Sequence, residues 1–244
     1  MRINLKTTIL LITSVFVMYS CKKENNSDSK LRTLKVGYHF DDFSKGNAID
    51  FSGNNVNGDP YDLQLVDGKF GKGVLFNKPD SKIELSGLGD FENGITIDFW
   101  IYLNEQSDNN YKNIIEEGTT FSNLTFQIGI KNDSVLFDFC KSGNIYHGVK
   151  SSHKLPEHTW THLSFNYNGS EIKLYINGIL DDSNAALMGA IDSWNTLTIG
   201  QYNASSYSEY SSDTFYGILD EFRIWNYCYS EQEVKNFLML TYSF

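Results

Sequence analysis

Between Thr161 and Gly178 apolar and polar side chains alternate one for one. Leu163, Phe165 and Tyr167 interleave with His162, Ser164 and Asn166, and Ile172, Leu174 and Ile176 with Lys173, Tyr175 and Asn177. A period of two places one set on a core face and the other on the opposite face of a strand. Asn168-Gly169 and Asn177-Gly178 follow the two runs, and Asn-Gly supplies the positive φ angles of tight hairpin turns. Similar short runs, rich in β-branched and aromatic residues, predict strands at 34–40, 73–76, 82–85, 95–103, 113–116, 124–130, 134–140, 145–150, 161–166, 171–176, 196–201 and 217–225. Gly, Asn, Asp and Ser clusters separate them, so the expected class is all-β, a two-sheet antiparallel jelly-roll sandwich. One short C-terminal helix is expected. Ser230 and Glu233 form a capping box, and Val234, Phe237 and Leu238 share the face that packs on the sandwich.

The first 20 residues do not belong to this pattern. Arg2 and Lys6 precede an apolar stretch, 10–18, too short to span a bilayer as a stable anchor. Met18-Tyr19-Ser20-Cys21 resembles a bacterial lipobox. The resemblance implies a lipoprotein signal peptide over 1–20, cleavage before Cys21, and lipidation of Cys21; the alternative is an ordinary signal peptide with a chance Cys. Lys22 stands where such lipoproteins carry an Asp retention signal for the inner membrane, which implies an outer-membrane address. Residues 21–32 read as the lipidated Cys and a polar tether, and 33–244 as one domain long enough for a sizeable core.

The chain carries a formal charge of −10. Without residues 1–20 it has 18 basic and 30 acidic residues, giving −12. That balance disfavours nucleic acid and anionic lipid headgroups and suits neutral glycans and divalent cations. Cys140 and Cys228 remain after Cys21. A bridge between them and two separate buried thiols are both compatible with an exported protein.

Several phrases recur in a fixed order: Tyr38-His39-Phe40-Asp41-Asp42, Asp50-Phe51-Ser52-Gly53-Asn54, Gly68 to Phe76, Ile95 to Ile101, the Trp160 hairpin, and Gly217 to Asn226 running into the Ser230 helix. Together they resemble a laminin-G-like domain of the concanavalin A-like lectin/glucanase superfamily, over about residues 34–240. The resemblance implies a binding module for glycans or proteins, often with a structural calcium ion. Calcium takes six to eight oxygen ligands, and the loop after the first strand offers Asp and Asn in abundance. Family placement beside the last strand phrase nominates Asp42, Asp50, Asn55 and Asp220 as ligands. The alternative is a polar turn, because turns use the same residues. Arg223 reads as a structural partner for the Asp220-Glu221 pair rather than a ligand contact.

Enzyme readings find little support. The related glucanases carry alternating acids on one strand, and neither Ile97-Asp98-Phe99-Trp100 nor Leu219-Asp220-Glu221-Phe222 has them. An arginine cluster of the sialidase kind is missing, as are HExxH and G-x-S-x-G. The loop 202–216 alternates Tyr202, Tyr207, Tyr210 and Tyr216 with Ser, Asn and Ala, and Trp194 lies just upstream. Aromatics among small polar residues make adaptable contact surfaces, so these five residues are the candidate ligand contacts; the alternative is a loop that only covers the sandwich edge. A second polar loop runs over 105–112. The expectation is a non-catalytic, outer-membrane, lipid-anchored module that binds carbohydrate. The alternatives are an adhesion or protein-complex component without a sugar site and a cryptic glycoside hydrolase.

Overall fold

The computed structural model describes residues 32–91, 94–104, 110–117, 126–141, 144–185, 191–201 and 215–240, with the backbone alone at 139–141, 144–147, 191–195 and 239–240. The predicted signal peptide, Cys21 and most of the tether lie outside the described residues.

In chain order the strands are β1 (Leu34–Tyr38), β2 (Phe43–Ser44), β3 (Asn47–Ala48), β4 (Asp59–Tyr61), β5 (Gln64–Asp67), β6 (Lys72–Phe76), β7 (Lys82–Phe91), β8 (Ile95–Leu103) and β9 (Lys112–Glu117). They continue with β10 (Phe126–Lys131), β11 (Ser134–Lys141), β12 (Asn144–Lys150), β13 (Thr161–Tyr167), β14 (Ile172–Ile176), β15 (Ile179–Asn184), β16 (Ile191–Ile199) and β17 (Gly217–Trp225), followed by helix α1 (Glu231–Leu240). One sheet has eight strands, ordered β15-β14-β13-β8-β17-β6-β5 with β1 also on β17. The other has seven, ordered β12-β11-β10-β9-β16-β7-β4, and every ladder in both is antiparallel.

The alternation read from the sequence sets the core. Ile97, Phe99 and Ile101 of β8, Leu163, Phe165 and Tyr167 of β13, and Leu219, Phe222 and Ile224 of β17 are all buried. They meet Ile115, Ile128, Phe137, Leu197 and Ile199 of the seven-stranded sheet in one cluster. Phe165 packs between Phe99 and Phe137 with ring centroids 6.1 and 5.4 Å away, a spacing at which aromatic pairs add stability beyond their burial.

The other face of the eight-stranded sheet is also buried, and several of its polar residues have fixed tasks. Ser164, Asp98 and Arg223 stand in register across β13, β8 and β17. Arg223 Nε donates to Asp98 Oδ1 at 3.1 Å, and its Nη1 donates to Glu221 Oε2 at 3.0 Å. Glu221 Oε1 lies 2.7 Å from His39 Nδ1. Arg223 is thus a structural partner for Glu221, as expected, while its second partner is Asp98 of β8 and not Asp220. Thr96 Oγ1 donates to the Tyr227 carbonyl and accepts from the Tyr229 amide, while Asn166 Nδ2 donates to the Tyr229 carbonyl. These bonds hold the segment that leads into α1. The capping box forms as expected, Ser230 N to Glu233 Oε2 at 2.7 Å and Glu233 N to Ser230 Oγ at 3.3 Å. Val234 and Phe237 join Tyr175, Tyr229 and Trp225 in a second apolar cluster, and Arg223 lies 3.9 Å from the Phe237 ring centroid, a cation–π contact.

Two local readings change. Only Asn177-Gly178 is the tight Asn-Gly turn, with φ of 50° and 78°. Four residues, 168–171, connect β13 to β14, and there Asn168 Oδ1 accepts the Ser170 and Glu171 amides at 3.0 and 2.8 Å. The side-chain acceptor builds an Asx turn, so Gly169 alone is left-handed. Strand β15 gave no strand pattern because Asp181, Asp182, Ser183 and Asn184 read as loop. Its side chains stitch the two sheets at their edges: Asp182 accepts the Lys150 amide, Asp181 the Ser152 amide, and Asn184 donates to the Gly148 carbonyl. Cys228 is a free thiol whose pKa burial pushes up to about 11, and the Cys140 side chain lies outside the described residues.

Among the described residues, two groups make stability depend on pH around neutrality. Burial raises the Asp220 carboxyl from 3.8 to about 7, so the folded state keeps a proton that the unfolded chain has lost. Its contribution is full below about pH 4 and is lost as pH rises to about 7. The hydrogen bond to Glu221 raises His39 above 6.5; its contribution is present below about pH 6.5 and is lost as pH climbs through the raised value. Both signs agree. Urea unfolding is expected to show the protein about 2–3 kcal/mol more stable at pH 5 than at pH 8 on account of Asp220, the half-exposed His39 adding little through solvent screening, and Asp220→Asn should flatten the part of the profile below pH 7. An unchanged profile in the variant would refute the assignment.

Candidate functional site

The seven-stranded sheet carries a different kind of row on its face away from the core. Register places Asp59 opposite Glu84, Glu84 opposite Thr198, Thr198 opposite Glu116, Glu116 opposite Gln127, and Gln127 opposite Asp138. Six adjacent strands therefore contribute one polar residue each to a single transverse line, four of them acids. Strands lie about 4.8 Å apart, so Glu116 and Asp138, separated by β10, have backbones roughly 10 Å apart. Both carboxylates are buried, at 1% and 3% exposure. Asn113 Nδ2 donates to Glu116 Oε2 at 3.1 Å, and Gln127 Nε2 lies 3.5 Å from Asp138 Oδ2.

Tyr111 completes this cluster. It immediately precedes β9, and its ring lies over Gly129 of β10, where an added Cβ would come within 2.3 Å of Tyr111 Cε1. The ring is half-buried while the hydroxyl is enclosed. Burial, and then the charges of Asp138 and Glu116, push the phenol pKa well above its ordinary value, so the group remains a neutral donor. A bulge between β9 and β10 at Ile128/Gly129 buries Ile114 and Ile115 together, which keeps Asn113 and Glu116 on the same outer face.

Both loops nominated from the sequence have their roots here. Segment 202–214 leaves after Gln201 and returns at Phe215; Gly200 N donates to Ile114 O at 2.8 Å, and Phe215 N donates to Gly200 O at 3.1 Å. The polar stretch 105–112 ends at Tyr111 and Lys112. Of the five proposed ligand contacts, Tyr216 is half-buried just ahead of β17, Trp194 is placed by its backbone opposite Gly89, and Tyr202, Tyr207 and Tyr210 lie outside the described residues. Sequence reasoning missed the acidic row because it sought paired acids on one strand, and this row is written across six.

The residues nominated for calcium fall into separate hydrogen-bond systems. Asp50 Oδ1 accepts the Gly37 and Ser52 amides, and Oδ2 accepts Ser52 Oγ and the Val56 amide. Four donors occupy a carboxylate's four lone-pair directions, so Asp50 organises its loop with none left for a cation. Asn55 contributes a left-handed turn, φ 60°, and Asp42 is exposed. Asp220 Oδ2 accepts the Phe70 amide and Oδ1 its neighbour's, Glu221 N, so both of its oxygens are engaged by the backbone. As these side chains stand, the donor set does not fit calcium.

The Tyr111–Gly129 contact yields a test. Gly129→Ala should displace the Tyr111 ring and cost about 1–3 kcal/mol by overpacking, with altered near-ultraviolet circular dichroism. Full stability and an unchanged spectrum would show that the ring is not held there.

Comparison with known proteins follows the geometry. The binding domain of Paraclostridial Mosquitocidal Protein 1 aligns with TM-score 0.71 and 19% identity, covering 86% of this chain and 53% of that one. Domain 4 of AbnA, an extracellular GH43 arabinanase from Geobacillus stearothermophilus, aligns with TM-score 0.64 and 21% identity over 84% of this chain and 98% of that domain. The botulinum neurotoxin serotype G binding domain aligns with TM-score 0.68 and 17% identity, over 86% and 51%. The chain thus spans about half the length of the toxin binding domains it matches, and at these identities the likeness is one of fold. No curated protein sequence matches the chain. A laminin-G profile described as "Concanavalin A-like lectin/glucanases superfamily" matches residues 77–235, more than half of the sequence. With two antiparallel sheets packed face to face and that match across both, the chain belongs to the laminin-G-like domains of the concanavalin A-like lectin/glucanase superfamily.

Proposed function

We propose that this protein is a lipid-anchored, non-catalytic carbohydrate-binding module of the outer membrane, and that it holds its ligand on the outer face of the seven-stranded sheet. The observation that carries the reading is the convergence of polar groups along β9 and its neighbours β10 and β11. An aromatic ring, two amides and two buried carboxylates gather at the roots of both polar, aromatic loops. Saccharides need hydrogen-bond acceptors for their hydroxyls and ring faces for their C–H surfaces, and this corner offers both. The arabinanase domain with the same fold was solved in complex with arabinotriose, which makes that trisaccharide the first probe. A hydrolytic reading has less support, because Gln127 stands between Glu116 and Asp138 and hydrogen-bonds toward the latter.

A protein partner is the second reading, favoured by a different surface. A cleft of about 240 Å³ beside the β14–β15 hairpin is lined by Leu155, Pro156, Ile176 and Ile179 among polar neighbours. Ile179 on its rim is 69% exposed and Leu180 42%. A related fold, the binding domain of botulinum neurotoxin DC, was solved with rat synaptotagmin II.

Calorimetry of the purified full chain against arabinotriose and a panel of neutral oligosaccharides should give saturable binding with and without chelator. Tyr207→Ala or Tyr210→Ala should weaken it roughly tenfold. Silence across the panel from folded protein would move the search to the Ile179 cleft, and loss of binding in chelator would restore a role for calcium. For the anchor, Cys21→Ser should shift the protein from the membrane to the soluble fraction in a detergent-partition assay; unchanged partition would remove the lipoprotein assignment.

A further inference from the structure

Two polar atoms at the start of β9 have no hydrogen-bond partner among the described residues, the Tyr111 hydroxyl and Asn113 Oδ1. Asn113 is fully buried. Its Nδ2 is committed to Glu116 Oε2 at 3.1 Å, so the amide is fixed and its oxygen is left as an acceptor. Tyr111 and Asn113 are two residues apart on an extended segment, which puts them on one side of it. Leaving a buried polar group unpaired is unfavourable, and here a donor and an acceptor on one side of the same segment both lack a partner among the described residues.

The chemistry of the missing partner can be read from these atoms. Asn113 Oδ1 only accepts; the Tyr111 hydroxyl has a proton to give. A hydroxyl satisfies both at once, since it donates one hydrogen bond and accepts another. A carboxylate would accept from Tyr111 but meet the Asn113 oxygen and Glu116 with like charge. An ammonium group would bond Asn113 Oδ1 and leave the phenol proton unpaired. The flanking row adds Glu84 and Asp138 to Glu116, so the surrounding field also disfavours anions. Burial beside these acids keeps the Tyr111 proton in place, which preserves the donor.

We propose that the Tyr111–Asn113 nook receives one hydroxyl of an uncharged saccharide, donating to Asn113 Oδ1 and accepting from Tyr111, and that it discriminates against saccharides bearing carboxylates. This inference rests on the saccharide-binding reading above and deepens it by naming the subsite and the ligand class. Tyr111 is the specificity-determining residue, and Gly129 leaves room for its ring.

The test uses the full chain, with arabinotriose and galactotriose as neutral probes and trigalacturonic acid as the acidic one. The proposal expects a neutral probe to bind at least tenfold more tightly than the acid. It expects Tyr111→Phe to weaken that binding about tenfold, the loss of one well-made hydrogen bond. It also expects Tyr111→Phe to leave the melting temperature unchanged or higher, because the unpaired hydroxyl contributes nothing to the unliganded fold. Equal binding of acid and neutral probes, or full affinity in Tyr111→Phe, overturns the subsite while the carbohydrate reading stands. A destabilised Tyr111→Phe with unchanged discrimination overturns it too, showing that the hydroxyl serves the fold through a resident water. If no saccharide binds the folded wild type, the subsite and the reading on which it rests both fall.

Discussion

The buried pair of Asp98 and Arg223 is the interaction on which the rest of the eight-stranded sheet depends. It joins the two central strands, β8 and β17, on the face away from the core. From it Arg223 reaches Glu221 and so His39, and its guanidinium supports Phe237 of the closing helix. His162 lies 3.6 Å from the same carboxylate. Such a pair stabilises little relative to apolar residues of the same volume, but removing one partner strands a buried charge at about 3–5 kcal/mol. Its effect is specificity. Among the described residues it gives Asp98 one cation and α1 one place to land.

That constraint divides the labour between the sheets. Alternation gives each sheet a second face, and on the eight-stranded sheet that face is spent on structure. Thr96 and Asn166 bond to the segment that covers them, Asp98 holds Arg223, and Arg223 packs on the Phe237 ring of the helix. On the seven-stranded sheet the equivalent positions form the row from Asp59 to Asp138, and Tyr111 and Asn113 beside it keep polar atoms without partners among the described residues. Asp98 Oδ2, Arg223 Nη2 and both His162 ring nitrogens on the eight-stranded sheet also lack hydrogen-bond partners among the described residues, but they lie in a charged cluster that holds the sheet together, whereas the donor and acceptor at Tyr111 and Asn113 stand beside the acidic row.

Much of this architecture was legible in the sequence. The β8, β13 and β17 patterns, the Asn177-Gly178 turn and the Ser230 capping box each carry a local signal, and each is found where that signal puts it. Strand β15 was not legible, because Asp181, Asp182 and Asn184 act on the edge of another sheet and that partner is remote in sequence. The acidic row was hidden for a related reason. Each member is an ordinary outward-facing polar residue of its own strand, and only the register of six strands lines them up. Asp50 shows the opposite case, a metal-like composition whose oxygens are already taken by three backbone amides and the Ser52 hydroxyl.

The central claim is that ligand meets the outer face of the seven-stranded sheet and leaves that of the eight-stranded sheet untouched. A crystal structure of the chain with a bound oligosaccharide tests it most directly. The account predicts sugar density against Tyr111 and Asn113 beside the Glu116–Asp138 row. Density in the cleft beside Ile179, or beneath α1 at Asp98 and Arg223, would contradict it.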